Sequence, residues 1–222
     1  MKAKLYQFHS SPFCAKVRKI LDYKGIDYEL VEVDYLKRNA LLEVSGQLHV
    51  PVLQNDSEVV IDSTRIALRL EELKPSPTIF PAGFKGLHLA LTRYLDEQVE
   101  DAVFRVALPD EVAHYRRQGK DREAFFRLIR ERKYGAGFCQ RMEAERESNL
   151  GRMSEVLEPF DDALAVKGSL LGRIGLADFA LYGQLWYLGF TGELKIPQRF
   201  GNLRAFYGRI DRISAQLEPQ QS

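Results

Sequence analysis

The spacing of apolar side chains changes character partway along the chain. Before Lys74, short runs of alternating apolar and polar residues, which are typical of strands, take turns with segments of helical periodicity. The spacing predicts strands at 3–8, 27–33, 51–54 and 58–61, and helices at 13–25, 37–44 and 63–73. This order, βαβ followed by αββα, predicts a parallel unit joined to a terminal hairpin.

Helix-breaking residues separate this first part from the remainder. They lie close together at Pro75, Pro77, Pro81, Gly83 and Gly86. Such a density is typical of a linker between domains. From Leu87 onward, apolar residues recur at the three- and four-residue spacing of helices. We therefore predict an α/β thioredoxin-like N-terminal domain at 1–74, a linker at 75–86 and an all-α helical C-terminal domain at 87–222.

Composition narrows the class of protein. Of 222 residues 45% are hydrophobic, which is enough for a substantial core. The 32 basic and 31 acidic residues leave a net charge of +1, so we expect neither a nucleic acid nor a membrane as partner. Without a membrane-length apolar run or a signal-like block after Met1, a cytoplasmic location is expected. The two cysteines and four histidines lack metal-ligand spacing, so no metal is expected.

The candidate chemistry lies at Ser11-Pro12-Phe13-Cys14, between the first strand and an amphipathic helix. The order matches a glutaredoxin-type Cys-Pro-aromatic-Cys site in which serine has replaced the first cysteine. Serine cannot form a disulfide, but its hydroxyl can donate a hydrogen bond to a thiolate, and a helix N-terminus stabilises an anion. The motif therefore predicts use of an external thiol, for which glutathione is our hypothesis.

The predicted domains and linker, taken with this motif, resemble the cytosolic glutathione S-transferase superfamily. Ser11-Pro12-Phe13 followed by a basic helix looks like the serine version of the motif in the tau and related classes, whereas omega-like members have cysteine there. The resemblance implies that Ser11 activates the glutathione sulfur and that Phe13 belongs to the glutathione-binding residues. It also implies a cis peptide before Pro51, with the backbone of Val50 pairing with the cysteinyl unit of glutathione.

The two ends of glutathione are assigned through the same resemblance. Asp62-Ser63 resembles the pair that receives the γ-glutamyl end. There the Ser63 hydroxyl and helix N–H groups would take the carboxylate, while Asp62 faces the ammonium. A basic residue usually meets the glycyl carboxylate, and the candidates are Lys37, Arg38 and His49.

The resemblance implies a glutathione transferase with glutathione as co-substrate, a small hydrophobic electrophile as second substrate, and a homodimeric assembly. Two alternatives stay open: a non-catalytic ligand-binding protein of the same fold, and a glutathione-dependent thiol reductase that uses Cys14. Ser11-Pro12 is also a common helix start that needs no ligand. Cys14 precedes apolar helix positions and is more readily interpreted as a packed thiol. The sequence does not single out the residues of the helical domain that line a substrate pocket.

Overall fold

A four-stranded mixed sheet forms the first part of the computed structural model, which describes residues 3–56 and 58–214. The elements are β1 (Ala3–Gln7), α1 (Pro12–Tyr23), β2 (Tyr28–Glu32), α2 (Asn39–Ser45), β3 (Val52–Gln54), β4 (Val59–Ile61) and α3 (Ser63–Leu73). The strand order is β2-β1-β3-β4, with β1 parallel to β2 and the other pairs antiparallel. The predicted parallel unit with a terminal hairpin is confirmed.

Helices alone form the rest of the described chain. They are α4 (Lys85–Tyr94), α5 (Glu100–Gln118), α6 (Lys120–Tyr134), α7 (Phe138–Ala144), α8 (Arg146–Lys167), α9 (Leu176–Tyr187) and α10 (Gly201–Asp211). A π-helical turn, Leu95–Val99, joins α4 to α5. The predicted fold class is confirmed. The domain boundaries at 1–74, 75–86 and 87–222 stay a prediction, and the last residues of the third range lie outside the described part of the chain. Among the helices described, none has the length and apolarity needed to cross a membrane.

A close approach between α1 and α9 holds the start of α1 in place. A Cβ atom at Gly183 of α9 would lie 2.3 Å from the carbonyl oxygen of Pro12. Only glycine therefore lets the two helices meet at this point, because a side chain would push the backbone of α1 away. Since Pro12 follows Ser11 directly, the packing of α9 against α1 also fixes the position of Ser11, the residue predicted to donate a hydrogen bond to a thiolate.

A buried ion pair joins α1 to the π-helical turn. Lys16 is 1% exposed, and its Nζ lies 2.6 Å from Asp96 Oδ2. Burial raises the pKa of Asp96, the positive charge of Lys16 acts against that shift, and the nearby Asp62 carboxylate adds to it. Asp96 Oδ1 is buried and has no hydrogen-bond partner within the described chain. Lys16 is therefore the charge that compensates Asp96 across the contact between the sheet domain and the helices.

Candidate functional site

Ser11 lies at the N-terminus of α1 and caps that helix. The N–H of Cys14 donates to Ser11 Oγ at 3.3 Å, and the backbone of Ser11 is extended, with φ of −66° and ψ of 122°. The hydroxyl oxygen accepts this bond, so capping does not use the hydroxyl proton, which can be donated to a thiolate. The helix-cap role and the ligand role that the sequence suggested for Ser11 are compatible in this geometry.

A cavity of about 320 Å³ lies beside Ser11, between the sheet domain and the helices. Five of the sequence-predicted site residues line it: Ser11, Phe13, Arg38, His49 and Val50. The structure therefore brings together the loop before α1 and the segment before β3, which are separated by more than thirty positions in the sequence. The peptide between Val50 and Pro51 is cis, as the resemblance implies.

Of the three basic residues considered for the glycyl carboxylate, Arg38 and His49 line this cavity and Lys37 does not. Arg38 is held in position: its Nε donates to the carbonyl of Tyr35 at 3.0 Å, and its guanidinium lies 4.2 Å from the Tyr35 ring centroid. Its Nη2 is buried and has no hydrogen-bond partner among the described residues. Arg38 thus offers a fixed, unused donor at the cavity, whereas Lys37 is exposed elsewhere.

Asp62 and Ser63 lie at the start of α3, outside the cavity lining. Asp62 has a positive φ of 73°, and its Oδ1 accepts hydrogen bonds from the N–H groups of Thr64 at 3.0 Å and Arg65 at 2.9 Å. Two of the helix N–H groups that were predicted to bind a ligand carboxylate are therefore already hydrogen-bonded to Asp62. The buried hydroxyl-bearing Ser63 is the first residue of the helix.

The start of α3 is nevertheless near the cavity. Lys16 Nζ lies 3.5 Å from Thr64 Oγ1 and 5.8 Å from the centroid of the Phe13 ring. Phe13 lines the cavity, so the α3 N-terminus and the cavity are adjacent on the same side of α1. Lys16 therefore lies between Phe13, which lines the cavity, and the start of α3.

A buried carboxylate, which the sequence analysis missed, forms part of the cavity wall. Glu111 of α5 is 4% exposed and accepts hydrogen bonds from Ser10 Oγ at 3.0 Å and from the Tyr187 hydroxyl. Arg130 Nη2 of α6 lies 3.5 Å from the same carboxylate. The signal in the sequence is an acidic residue on a helix face that also carries Leu108 and Tyr115, three residues before it and four after it.

A second acidic residue, Glu100, lines the cavity at the start of α5. Burial raises its pKa to about 7, while the positive charges of Lys133 and Arg130 act in the opposite direction. Asp101 and Glu111 add to the increase. Glu100 therefore exchanges a proton near neutral pH.

Cys14 is packed inside the fold and does not line the cavity. Its side chain is 0% exposed, and burial raises the pKa of its thiol to about 11, although the hydrogen bond with Ser11 opposes the increase. With such a pKa, only about one thiol in a thousand is ionised at pH 8. The geometry disfavours Cys14 as a nucleophile.

We expect Cys14 of the folded protein to resist alkylation by iodoacetamide at pH 8, because the reagent needs access and a thiolate. The measurement is peptide mass spectrometry after timed labelling, with the urea-unfolded protein as the fully reactive control. The labelling rate of Cys139, which is 4% exposed, is measured in the same experiment and compared with the rate of Cys14. Labelling of folded Cys14 at the rate of a free thiol would contradict the assignment of this residue to the core.

Family models match both parts of the chain. Residues 5–78 match the glutathione S-transferase N-terminal domain, and residues 143–209 match the glutathione S-transferase C-terminal domain. A zeta-class glutathione S-transferase of Euphorbia esula is 38% identical over 85 residues, which cover 36% of this chain and 38% of that protein. Prostaglandin E synthase 2 of Danio rerio is 36% identical over 83 residues, covering 34% of this chain and 22% of that protein.

Solved structures of other proteins share the fold of this chain. Glutaredoxin 2 of Salmonella typhimurium, determined in complex with glutathione, superposes with a TM-score of 0.74 at 19% identity, and the match covers 96% of both chains. Each match to the two curated relatives spans less than half of the relative's length, so those matches show no shared activity. With both of its domain models matched in order along the sequence, the chain belongs to the glutathione S-transferase family.

Proposed function

We propose that the protein is a glutathione transferase in which Ser11 activates the sulfur of glutathione. The observation that carries the proposal is the position of the Ser11 hydroxyl, held at the N-terminus of α1 beside the cavity. A thiolate placed there receives a hydrogen bond from the hydroxyl and is stabilised by the positive end of the helix. Lowering the thiol pKa by about two units corresponds to about 2.7 kcal/mol in favour of the thiolate.

The reaction follows from this activation. The thiol proton leaves to solvent, and a sulfur electron pair forms a bond to an electrophilic carbon of a small second substrate. In a displacement, the leaving group departs with its bonding electron pair. In an addition to an activated double bond, the neighbouring carbon receives the electron pair and then a proton from solvent. Ser11 forms no covalent bond in either case.

The remaining contacts hold the tripeptide in place and convert a bimolecular attack into a positioned one. We assign the backbone of Val50 to the cysteinyl unit and Arg38 to the glycyl carboxylate, because both line the cavity with Ser11. Asp62 and Ser63 are assigned to the γ-glutamyl end, since Lys16 contacts both Thr64 near the start of α3 and the Phe13 ring at the cavity. His49 is exposed at the rim of the cavity, where we assign it to contacts with glutathione.

A cytoplasmic homodimer is part of the same proposal. Exposed apolar side chains on two elements support an assembly: Leu87 and Tyr94 on α4 are 55% and 46% exposed, and Val59 on the edge strand β4 is 40% exposed. Covering such side chains by a second copy would remove them from water. Light scattering coupled to size-exclusion chromatography tests this part.

A calorimetric titration with reduced glutathione tests the function, and it discriminates between Arg38 and Lys37. We expect saturable binding at one site per chain. Arg38→Gln should weaken binding about tenfold, because a charge-assisted hydrogen bond to the glycyl carboxylate is lost. Lys37→Gln should stay within about twofold of the unmodified protein, since an exposed charge contributes little.

Thermal melting of both variants separates lost contacts from lost stability. The absence of glutathione binding to the unmodified protein would contradict the proposal and favour the non-catalytic alternative. A larger loss for Lys37→Gln than for Arg38→Gln would reassign the glycyl contact.

A further inference from the structure

The cavity beside Ser11 is not uniformly apolar on the side formed by the helices. Successive turns of α6 present Arg130 and Lys133 to it, together with the partly buried Ile129 and Tyr134. Phe104 of α5 lies on the same wall. A second substrate that occupies the cavity next to the glutathione sulfur therefore meets aromatic rings and two positive charges.

Arg130 is held rigidly and has an unused donor. Its guanidinium lies 4.7 Å from the ring centroid of Phe126 and 5.2 Å from that of Phe104. Arg130 Nη2 faces Glu111 at 3.5 Å, whereas Arg130 Nε is buried without a hydrogen-bond partner in the described part of the chain. A buried donor without a partner is unfavourable, so an acceptor supplied by a ligand would be bound strongly here.

The acidic residues of the cavity do not neutralise this wall fully. Glu111 already accepts hydrogen bonds from Ser10 and Tyr187 in addition to its contact with Arg130. Glu100 takes up a proton near neutral pH because of its burial. Lys133 is exposed at the cavity rim, with its Nζ 4.8 Å from the Tyr134 ring centroid. The helical side of the cavity therefore keeps an excess of positive charge.

We infer that the second substrate of this site carries a carboxylate, which Arg130 receives inside the cavity and Lys133 receives at its rim, while Phe104 and Tyr134 contact an apolar body. The inference depends on the proposed function only in describing the bound ligand as a substrate. The anion-binding half of the cavity is a property of α5 and α6, separate from the glutathione contacts at Ser11 and Val50. The sequence predicts a small hydrophobic electrophile as second substrate, and we infer that this molecule also carries a carboxylate.

The test uses two unreactive probes of the same shape, 3-nitrobenzoate and 3-nitrobenzamide, titrated calorimetrically into the protein without glutathione. We expect the benzoate to bind at least about tenfold more tightly than the benzamide, as one charge-assisted hydrogen bond predicts. Arg130→Gln should remove this preference. Arg132→Gln should keep it, since Arg132 is an exposed residue of α6 outside the cavity.

Lys133→Gln is the second variant, because substitution of an exposed side chain leaves the fold intact, and it should reduce the preference about threefold. Equal affinity for the two probes, no binding of either, or a preference that survives in both Arg130→Gln and Lys133→Gln would overturn the inference. A preference removed by Arg38→Gln instead would overturn it as well. Glutathione is absent throughout, so failure of the proposed transferase reaction leaves these outcomes unaffected.

Discussion

Replacing Ser11 with alanine is expected to lower the rate of glutathione conjugation near neutral pH by about a hundredfold. The loss follows because the variant cannot donate a hydrogen bond to the thiolate, and one such bond in a preorganised site contributes about 2–3 kcal/mol. Affinity for glutathione should change little, because Val50 and Arg38 still hold the rest of the tripeptide. Steady-state kinetics with 1-chloro-2,4-dinitrobenzene as the electrophile measure both quantities.

Ser11→Thr is the matched control for this prediction. Threonine keeps both the hydroxyl donor and the capping oxygen, so most of the conjugation rate should survive. Alanine also removes the helix cap, which costs about 1 kcal/mol of stability, and thermal melting measures that separate effect. If Ser11→Ala conjugates at the unmodified rate, the hydroxyl has no role in activating the sulfur.

The largest loss of stability is expected for Lys16→Met. Removing the lysine leaves the Asp96 carboxylate, whose side chain is 16% exposed, without its compensating charge, and a largely buried charge without a partner costs about 3 kcal/mol. The contact between α1 and the π-helical turn weakens at the same time. Urea unfolding followed by circular dichroism measures the free energy of unfolding.

Two further variants separate charge burial from lost packing. The double variant Lys16→Met with Asp96→Leu should recover most of the lost stability, because it removes both buried charges together. Arg93→Met breaks the exposed pair with Glu97 on α4 and should change stability by less than about 0.5 kcal/mol. A double variant as unstable as Lys16→Met alone would show that packing, not the uncompensated charge, dominates.

The fold was predictable because its signals are local. Alternation and helical periodicity identified every strand and helix of the sheet domain, and α3 matched its predicted range of 63–73. The end of α1 was predicted at Gly25, whereas the helix ends at Tyr23, since Lys24 and Gly25 close its last turn with hydrogen bonds to Ile20 and Asp22. Such differences arise where hydrogen bonds at helix ends, rather than side-chain periodicity, decide the boundary.

The site was predictable only where a short motif marks it. Ser11, Phe13 and Val50 belong to such motifs and do line one cavity. Glu111 and Arg130 lie on different helices, and nothing in the local sequence says that α5 and α6 bring their side chains together. The choice between Lys37 and Arg38 likewise depends on the direction of a side chain, which the stacking of Arg38 on Tyr35 determines.

The most direct test of the central claim is the thiol pKa of glutathione bound to the protein, measured from thiolate absorbance in the ultraviolet across a pH series. We expect the pKa of bound glutathione to lie about two units below that of free glutathione, with most of this shift lost in Ser11→Ala and kept in Ser11→Thr. An unshifted pKa in the unmodified protein, or a lowered pKa that survives in Ser11→Ala, would contradict the assignment of Ser11 as the residue that activates the sulfur.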